Sequence, residues 1–378
     1  MKKTIGTITF HSSYNHGSML QAYALQEYIT KKFGKFFDYK IINLRTKRQR
    51  DYYNRPFCCY DLKNIIKSIL FIRYRRMFLD ARKNYENFLN NRLNITEEYS
   101  TINELCDANL SFDYYISGSD QIWNYPILDF DWSFFLEFCE KGKKISYAAS
   151  LGPNKIDDCD ESTKKRITKD LSEYSKISVR EKGSYDAIKK ITGREDISIN
   201  IDPTLLLDED DWKKIIDEKR LIEDDYIFLY DLKNNSESYK IADRISKKYK
   251  MPVVTVKNMY HLKNEYKHFI RKYDAGPSEF LNYVKNAKIV ISSSFHGNVF
   301  SIILKKPFLA VGGSRDNRIK DILEITDLKD RAISSVGEIP SGDKLFNVDF
   351  SKCDAGLARE RQKTERYFRE ALEVGDKK

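Results

Sequence analysis

Residues 291–311, ISSSFHGNVFSIILKKPFLAV, decide how this chain is read. An apolar run, KIVIS (288–292), ends in three serines, a histidine and a glycine. A helical pattern follows over 297–305, and then a second strand-like run, PFLAV (307–311). Strand, polar loop, helix, strand is one repeat of an α/β layer. The apolar flanks belong to an interior, so the polar break between them needs a reason. In open α/β sheets the ligand sits beyond the carboxyl ends of the strands, where this break falls. Ser293 and Ser294 offer hydroxyls, and Gly297 lets the backbone turn tightly and approach a ligand. The start of the following helix carries free N–H groups and the positive end of its dipole, a combination suited to phosphate. His296 can donate a hydrogen bond or a proton near neutral pH. The same residues also read as a serine N-cap with a histidine bonded to backbone, and the stretch alone leaves both readings open.

The surrounding chain has 378 residues, 41% hydrophobic and 13% aromatic, enough for two domains with cores of their own. No run approaches the ~18 apolar residues of a membrane span. The N-terminus, MKKTIGTITFHSS, reads as a first strand, because it lacks the apolar core of a signal peptide. Cys58, Cys59, Cys106, Cys139, Cys159 and Cys353 are scattered, with no CxxC pair. They read as reduced thiols of a cytoplasmic protein. The net charge is +10, and from Arg45 to Arg92 thirteen Lys/Arg stand against four Asp/Glu. Such a segment could meet nucleic acid, an anionic membrane or an anionic substrate. The near-neutral remainder and the lack of a reading motif argue against nucleic acid.

Periodicity predicts strands at 3–10 and 39–43, with a helix over MLQAYALQEYITKKF between them. The rhythm breaks at about 46–95. There Leu62, Ile65, Ile66, Ile69, Leu70, Tyr74, Met77 and Phe78 fit helices with Arg73, Arg75, Arg76, Arg82 and Lys83 between them. The reading is a helical insertion with a basic face. Strands at 112–120, 143–150, 176–181 and 197–207 complete an N-terminal domain (1–210), and a second α/β series starts at YIFLYDL (226–232). A C-terminal domain is expected over 220–350, then a terminal helix within 351–378. Two successive α/β series are read as two Rossmann-like domains with a cleft between them.

Other polar loops fall at expected strand ends. In HSSYNHG (11–17) Asn15 and Gly17 follow the first strand. In SGSDQIW (117–123) Asp120 and Gln121 can bond sugar hydroxyls, and Trp123 either stacks on a sugar face or fills the core. Arg180, after KISV, is either exposed or a bidentate anion clamp. Arg315 and Arg318 lie past PFLAV. No residue spacing suits a metal site, and no P-loop, GxGxxG or GxSxG is present.

Taken in order, GTITFHSSYNHGSMLQAYALQ (6–26), FDYYISGSDQIWN (112–124), SYAASLG (146–152), ISVREKGS (177–184), IDPTLLL (201–207), GPSEFLNYVKNAKIVISSSFHGNVFSIILKKPF (276–308) and RDNRIKDIL (315–323) resemble the polysaccharide pyruvyltransferase family. His16 stands where that family commonly has an aromatic residue, and the basic segment has no counterpart there. The resemblance implies a GT-B-like fold and transfer of the pyruvyl group of phosphoenolpyruvate onto a sugar as a ketal, with release of phosphate and no metal or cofactor. It implies that Arg180 and Arg318 clamp the donor, that His296 is a donor ligand and candidate acid, and that Ser293, Ser294 and Gly297 contact phosphate. The acceptor is then expected on the N-terminal side, near Asn15, Gly17, Asp120, Gln121 and Trp123. It would be a sugar of a bacterial surface glycan or its lipid-linked precursor, with the basic segment against an anionic membrane at the inner face. The alternatives are a GT-B glycosyltransferase using a nucleotide sugar and a non-catalytic scaffold of glycan assembly.

Overall fold

The structure, a computed structural model, describes residues 1–53, 66, 69, 72–125, 127–152, 156–232, 235–256 and 266–375. The strands are β1 (Lys3–Ile8), β2 (Phe37–Leu44), β3 (Ile95–Tyr99), β4 (Tyr114–Ser117), β5 (Lys143–Ser146), β6 (Ile177–Val179), β7 (Ile197–Ile199), β8 (Ile227–Tyr230), β9 (Val253–Thr255), β10 (Ile270–Arg271), β11 (Ile289–Ser292), β12 (Phe308–Val311) and β13 (Ala332–Ile333). The helices used below are α1 (His16–Phe33), α2 (Lys47–Tyr53), α3 (Arg75–Arg92), α4 (Glu161–Ser172), α5 (Phe295–Ile303), α6 (Asn317–Ile325) and α7 (Cys353–Ala371).

The chain forms two compact units. One comprises residues 1–73, 89–207 and 360–378, the other 74–88 and 208–359. In the first, a parallel sheet runs β3-β2-β1-β4-β5. Bridges from Ile145 to Lys176 and from Ala149 to Val179 lay β6 beside β5, and β7 pairs with β6. In the second, a six-stranded parallel sheet runs β10-β9-β8-β11-β12-β13. Each sheet therefore grows outward from its first strand in both directions, the Rossmann order.

Parallel strands are covered on both faces and read as continuous apolar runs. β8 (IFLY), β11 (IVIS) and β12 (FLAV) are buried at every residue, which is why the second half was legible from sequence. β3 (ITEEY) was not, because this edge strand carries two glutamates and exposes them. Of the residues expected in the helical insertion, Leu62, Ile65 and Leu70 lie outside the described set. Of the rest, α2 and α3 are helical, and residues 74–88 belong to the second unit. The terminal helix α7 serves the first unit from Glu360 onward. Phe368 packs on Tyr147 at 4.6 Å between ring centres, and the Tyr367 hydroxyl donates to Ser146 O at 2.5 Å.

Candidate active site

In each sheet the strand order reverses at one place, between β1 and β4 and again between β8 and β11. In this fold the strand ends at such a reversal are the usual ligand position, a crevice between diverging loops. Of the polar loops singled out in the sequence, 11–17, 117–123 and 292–297 follow strands at these two switch points, whereas Arg180 follows β6 and Arg315 and Arg318 follow β12.

At the second switch point, β8 ends at Tyr230 and is followed by Asp231; β11 ends at Ser292 and is followed by Ser293 and Ser294. The Ser292 hydroxyl donates to Tyr230 O (2.9 Å) and accepts from the Ser294 N–H (3.0 Å), which ties the loop to both strands. Ser294 is the N-cap of α5, with extended backbone (φ −93°, ψ 139°), and its hydroxyl makes no capping bond. The helix begins at Phe295, two residues before the expected position. His296 and Gly297 thus belong to its first turn, and Gly297 does not serve the loop as a turn residue. The glycine is needed for packing. A Cβ there would collide with the Ser292 hydroxyl and come within 2.8 Å of Tyr230 Cδ1. The absence of a side chain lets α5 press its N-terminal turn against the strand ends.

His296 is buried to 9% exposure, with its ring edge-on to Phe295 at 5.2 Å. Arg318, in the first turn of α6, forks onto Asp316 at 3.0 and 2.7 Å, and its guanidinium carbon lies 5.8 Å from the Phe295 ring centre. Arg318 and the start of α5 are therefore neighbours, and Asp316 balances the arginine's charge. Arg315 lies in the 3-10 turn Gly313–Arg315 before α6. Sequence reading missed Asp231, a buried carboxylate that accepts the Ser293 hydroxyl at 2.8 Å. Nothing in YIFLYDL distinguishes this aspartate from a loop residue.

At the first switch point, Asn15 is the N-cap of α1, accepting from the N–H groups of Gly17 (3.0 Å) and Ser18 (3.3 Å). The Ser18 hydroxyl donates to Asp120 at 2.6 Å, joining the loops after β1 and β4. Asp120 holds φ at +72°, a left-handed conformation that costs a non-glycine residue energy and is often found at functional sites. Gln121 donates its backbone N–H to Asp120 and accepts from the Asn124 amide at 2.8 Å. His11 bonds Thr9 O (3.0 Å) and Asn43 (2.9 Å), and complete burial holds its pKa below the usual value.

Two expectations change here. Trp123 is core and offers no face to a sugar. It is 1% exposed, stacks on Phe135 at 5.4 Å, and donates its indole N–H to the Ser117 hydroxyl and Phe134 O. The flanking Ile122 and the Phe134–Phe135 pair drew it inward. Arg180 is not exposed and does not present a bare guanidinium. Its side chain is 3% exposed and lies 2.8 Å from Asp202, 3.5 Å from Glu181 and 3.6 Å from Asp120. Burial opposes its charge, but the three carboxylates outweigh burial and hold its pKa above the ordinary value.

A further network at this point was not legible in the sequence. The Gln49 amide donates to the Ser13 hydroxyl (3.1 Å) and to Asp129 (3.0 Å), and the Ser12 hydroxyl donates to Gln49 at 3.3 Å. The Tyr53 phenol donates to Asp129 at 2.9 Å, and its ring lies 5.2 Å from Tyr14. Burial raises the pKa of Asp129. Bonds from Tyr53, Gln49 and Ser13 oppose the shift, and the charge of Asp120 adds to it. Three chain segments meet here, too far apart in sequence for any local pattern to announce them. Among the described residues no group of His, Cys, Asp and Glu could hold a metal ion.

This fold is known in other proteins. It is similar to S. aureus MnaA in a co-structure with UDP (TM-score 0.58, 10% identity, covering 100% of this chain and 99% of that one). It is also similar to the UDP-N-acetylglucosamine 2-epimerases of Rickettsia bellii (TM-score 0.56, 10% identity, 99% and 97%) and Methanocaldococcus jannaschii (TM-score 0.52, 12% identity, 97% and 100%). At such identities the likeness concerns fold alone, and it defines a GT-B-type protein built of two Rossmann-like units. The family model "Polysaccharide pyruvyl transferase" matches residues 15–315, and the chain belongs to that family. It is a transferase enzyme. No curated protein matches. Among the described residues, no helix is long and apolar enough to cross a membrane.

Proposed function

We propose that this protein transfers the pyruvyl group of phosphoenolpyruvate to two hydroxyls of a sugar in a bacterial surface glycan or its lipid-linked precursor. The observation that carries this reading, beside family membership, is the anion-ready start of α5 at the second switch point. There Ser293 and His296 flank a helix N-terminus whose N-cap hydroxyl makes no capping bond. The donor phosphate is assigned to the first turn of α5 with Ser293, Ser294 and His296. Arg318 stands beside it for the carboxylate, by exchanging one of its bonds to Asp316. His296 protonates C3 of the donor. C2 then carries positive charge, the C2–O bond to phosphate breaks with its electron pair, and the two sugar oxygens bond to C2. Of the two hydroxyl protons, one balances the proton added to C3 and the other leaves on phosphate. The balance closes without a metal or cofactor.

Arg180 belongs to the first unit, where we assign it to positioning the Asp120 and Asp202 carboxylates while Asp120 and Gln121 bind the acceptor. The exposed face of α3 carries Arg75, Arg76, Leu79, Arg82 and Lys83, with exposed Ile69 and Ile72 before it. We assign this basic and apolar face to an anionic membrane at the cytoplasmic side, near a lipid-linked acceptor. A flotation assay with anionic and neutral vesicles tests it; equal flotation with both rules it out.

The reaction itself is tested by phosphate release from phosphoenolpyruvate, with free and lipid-linked galactose-, glucose- and mannose-type acceptors. Acceptor-dependent release with a gain of one pyruvyl mass is the expected result. Turnover of a nucleotide sugar, and none of phosphoenolpyruvate, would replace this reading by glycosyl transfer.

A further inference from the structure

This inference rests on the pyruvyl-transfer reading and concerns the form in which the donor phosphate is held. Every residue it uses belongs to the second unit. Between Ile289 and Leu304 all residues are buried except Ser293 and Ser294, so the strand–helix segment reaches the surface at these two. The start of α5, and Arg318 with its guanidinium carbon 5.8 Å from the Phe295 ring centre, both favour negative charge there. Asp231 runs against that pattern. It follows β8 directly, is 1% exposed, and accepts the Ser293 hydroxyl at 2.8 Å. A buried carboxylate one hydrogen bond away from an anion repels it, so its presence calls for a reason.

The direction of the bond supplies one. A serine hydroxyl has one hydrogen and two lone pairs, and an ionised carboxylate only accepts. With its hydrogen on Asp231, Ser293 turns nothing but lone pairs toward a ligand. A fully ionised phosphate group also brings nothing but lone pairs, and the two cannot bond. A phosphate group that keeps one P–OH can donate to Ser293. For Ser293 to donate to the ligand instead, it would have to withdraw its hydrogen from a buried carboxylate, a bond that is expensive to leave unmade.

We propose that Asp231 is a positioning residue that fixes Ser293 as a hydrogen-bond acceptor, so that the site selects a phosphate group carrying a proton. A phosphate monoester loses its second proton at about pH 6, so the singly protonated donor is within reach near neutral pH. When the C2–O bond breaks, its electron pair stays on the departing oxygen and the leaving group is hydrogen phosphate from the start. The proton on the departing phosphate is then the donor's own. The second acceptor proton goes to solvent in exchange, and the overall balance is unchanged.

The test compares two oxyanions of the same shape. Near pH 7 inorganic phosphate keeps at least one proton and sulfate keeps none. Both are titrated into the full chain by calorimetry at fixed ionic strength. The wild type is expected to bind phosphate about 100-fold or more tightly than sulfate, because a site built around one hydrogen bond rejects the analogue that lacks it. Phosphoenolpyruvate should displace the phosphate, and phosphate that it does not displace overturns the proposal. In Asp231→Asn the amide can donate to the Ser293 oxygen, which frees the hydroxyl hydrogen for the ligand. Sulfate should gain, and the ratio should fall to within about threefold of unity. A wild type that binds the two ions alike overturns the proposal. So does an Asp231→Asn protein that loses both by the same factor, which would leave Asp231 a structural clip. Should Asp231→Asn fail to fold, Ser293→Ala decides. Without the acceptor oxygen the preference for phosphate should collapse, and a retained preference overturns the proposal. A wild type that binds neither ion nor phosphoenolpyruvate ends the pyruvyl-transfer reading and this inference together. Turnover of phosphoenolpyruvate beside equal binding of the two ions ends this inference alone.

Discussion

At the switch point of the first sheet one guanidinium, Arg180, faces Asp120, Glu181 and Asp202, and Asp129 lies in the adjoining network. At that of the second sheet stand a helix N-terminus, Ser293, His296 and Arg318; the Ser293 hydroxyl donates to the buried Asp231, and Arg318 donates to Asp316. The strand order around the two crevices is the same. The backbone thus supplies one geometry twice, and the side chains at the strand ends give each copy its chemistry. Clustered carboxylates repel an anion. A helix start lined with donors suits an anion.

The comparison breaks first at His296. His296→Ala is expected to lower phosphate release by about 10²–10⁴-fold, the range of a lost general acid, with the melting temperature unchanged. Full activity would leave the second crevice without its acid. Arg180 is the next point of strain. Arg180→Ala leaves three buried carboxylates without their cation and is expected to cost about 3–5 kcal/mol of stability in denaturant unfolding, and Asp202→Asn in the same chain should restore part of it. A variant of wild-type stability that has lost phosphoenolpyruvate affinity would instead make Arg180 an anion ligand and blur the contrast.

Trp123 gives a comparable effect with a different signature. Trp123→Ala should destabilise the protein by about 3–5 kcal/mol, as expected for an aromatic side chain removed from a packed core. A raised acceptor KM at unchanged stability would return it to the sugar site. Ser293→Ala is smaller. It removes the hydroxyl that Asp231 accepts and should weaken phosphoenolpyruvate binding about tenfold in calorimetry, on the scale of one hydrogen bond to a charged group.

A pH-dependent effect lies outside both crevices, in α4. Burial, then the Glu137 carboxylate, raises Asp170 to a pKa of about 7. From the ordinary aspartate range up to about 7 the folded chain holds a proton that the unfolded chain has lost, so stability falls as pH rises through that window. Asp170→Asn removes this slope. Its melting temperature should match wild type near pH 4 and exceed it at pH 8.

Much of the fold was legible because its parallel strands are buried on both faces. The apolar runs IFLY, IVIS and FLAV admit few other readings, and the polar residues that interrupt the pattern mark strand ends. The polar strand ends could therefore be located, although what each side chain does there could not. Trp123 and Arg180 were ambiguous since an indole or a guanidinium at a strand end can face either way, and neighbours distant in the chain decide which. Gly297 looked like a turn residue, and its actual constraint, contact with Ser292 and Tyr230, exists only once α5 lies across the strand ends.

By itself the sequence determined the element types, the two α/β series and the polar loops at their strand ends, since these follow from local periodicity and from the burial that parallel sheets impose. Tertiary structure alone decided that Tyr53 and Gln49 hold Asp129, that three carboxylates surround Arg180, and that residues 360–378 return to the first unit. Glu181 apart, which is the sequence neighbour of Arg180, those contacts join residues from 22 to 221 positions apart, and no local pattern encodes them. They arise because a buried charge or hydroxyl must find a partner among whatever side chains the packed elements bring within reach.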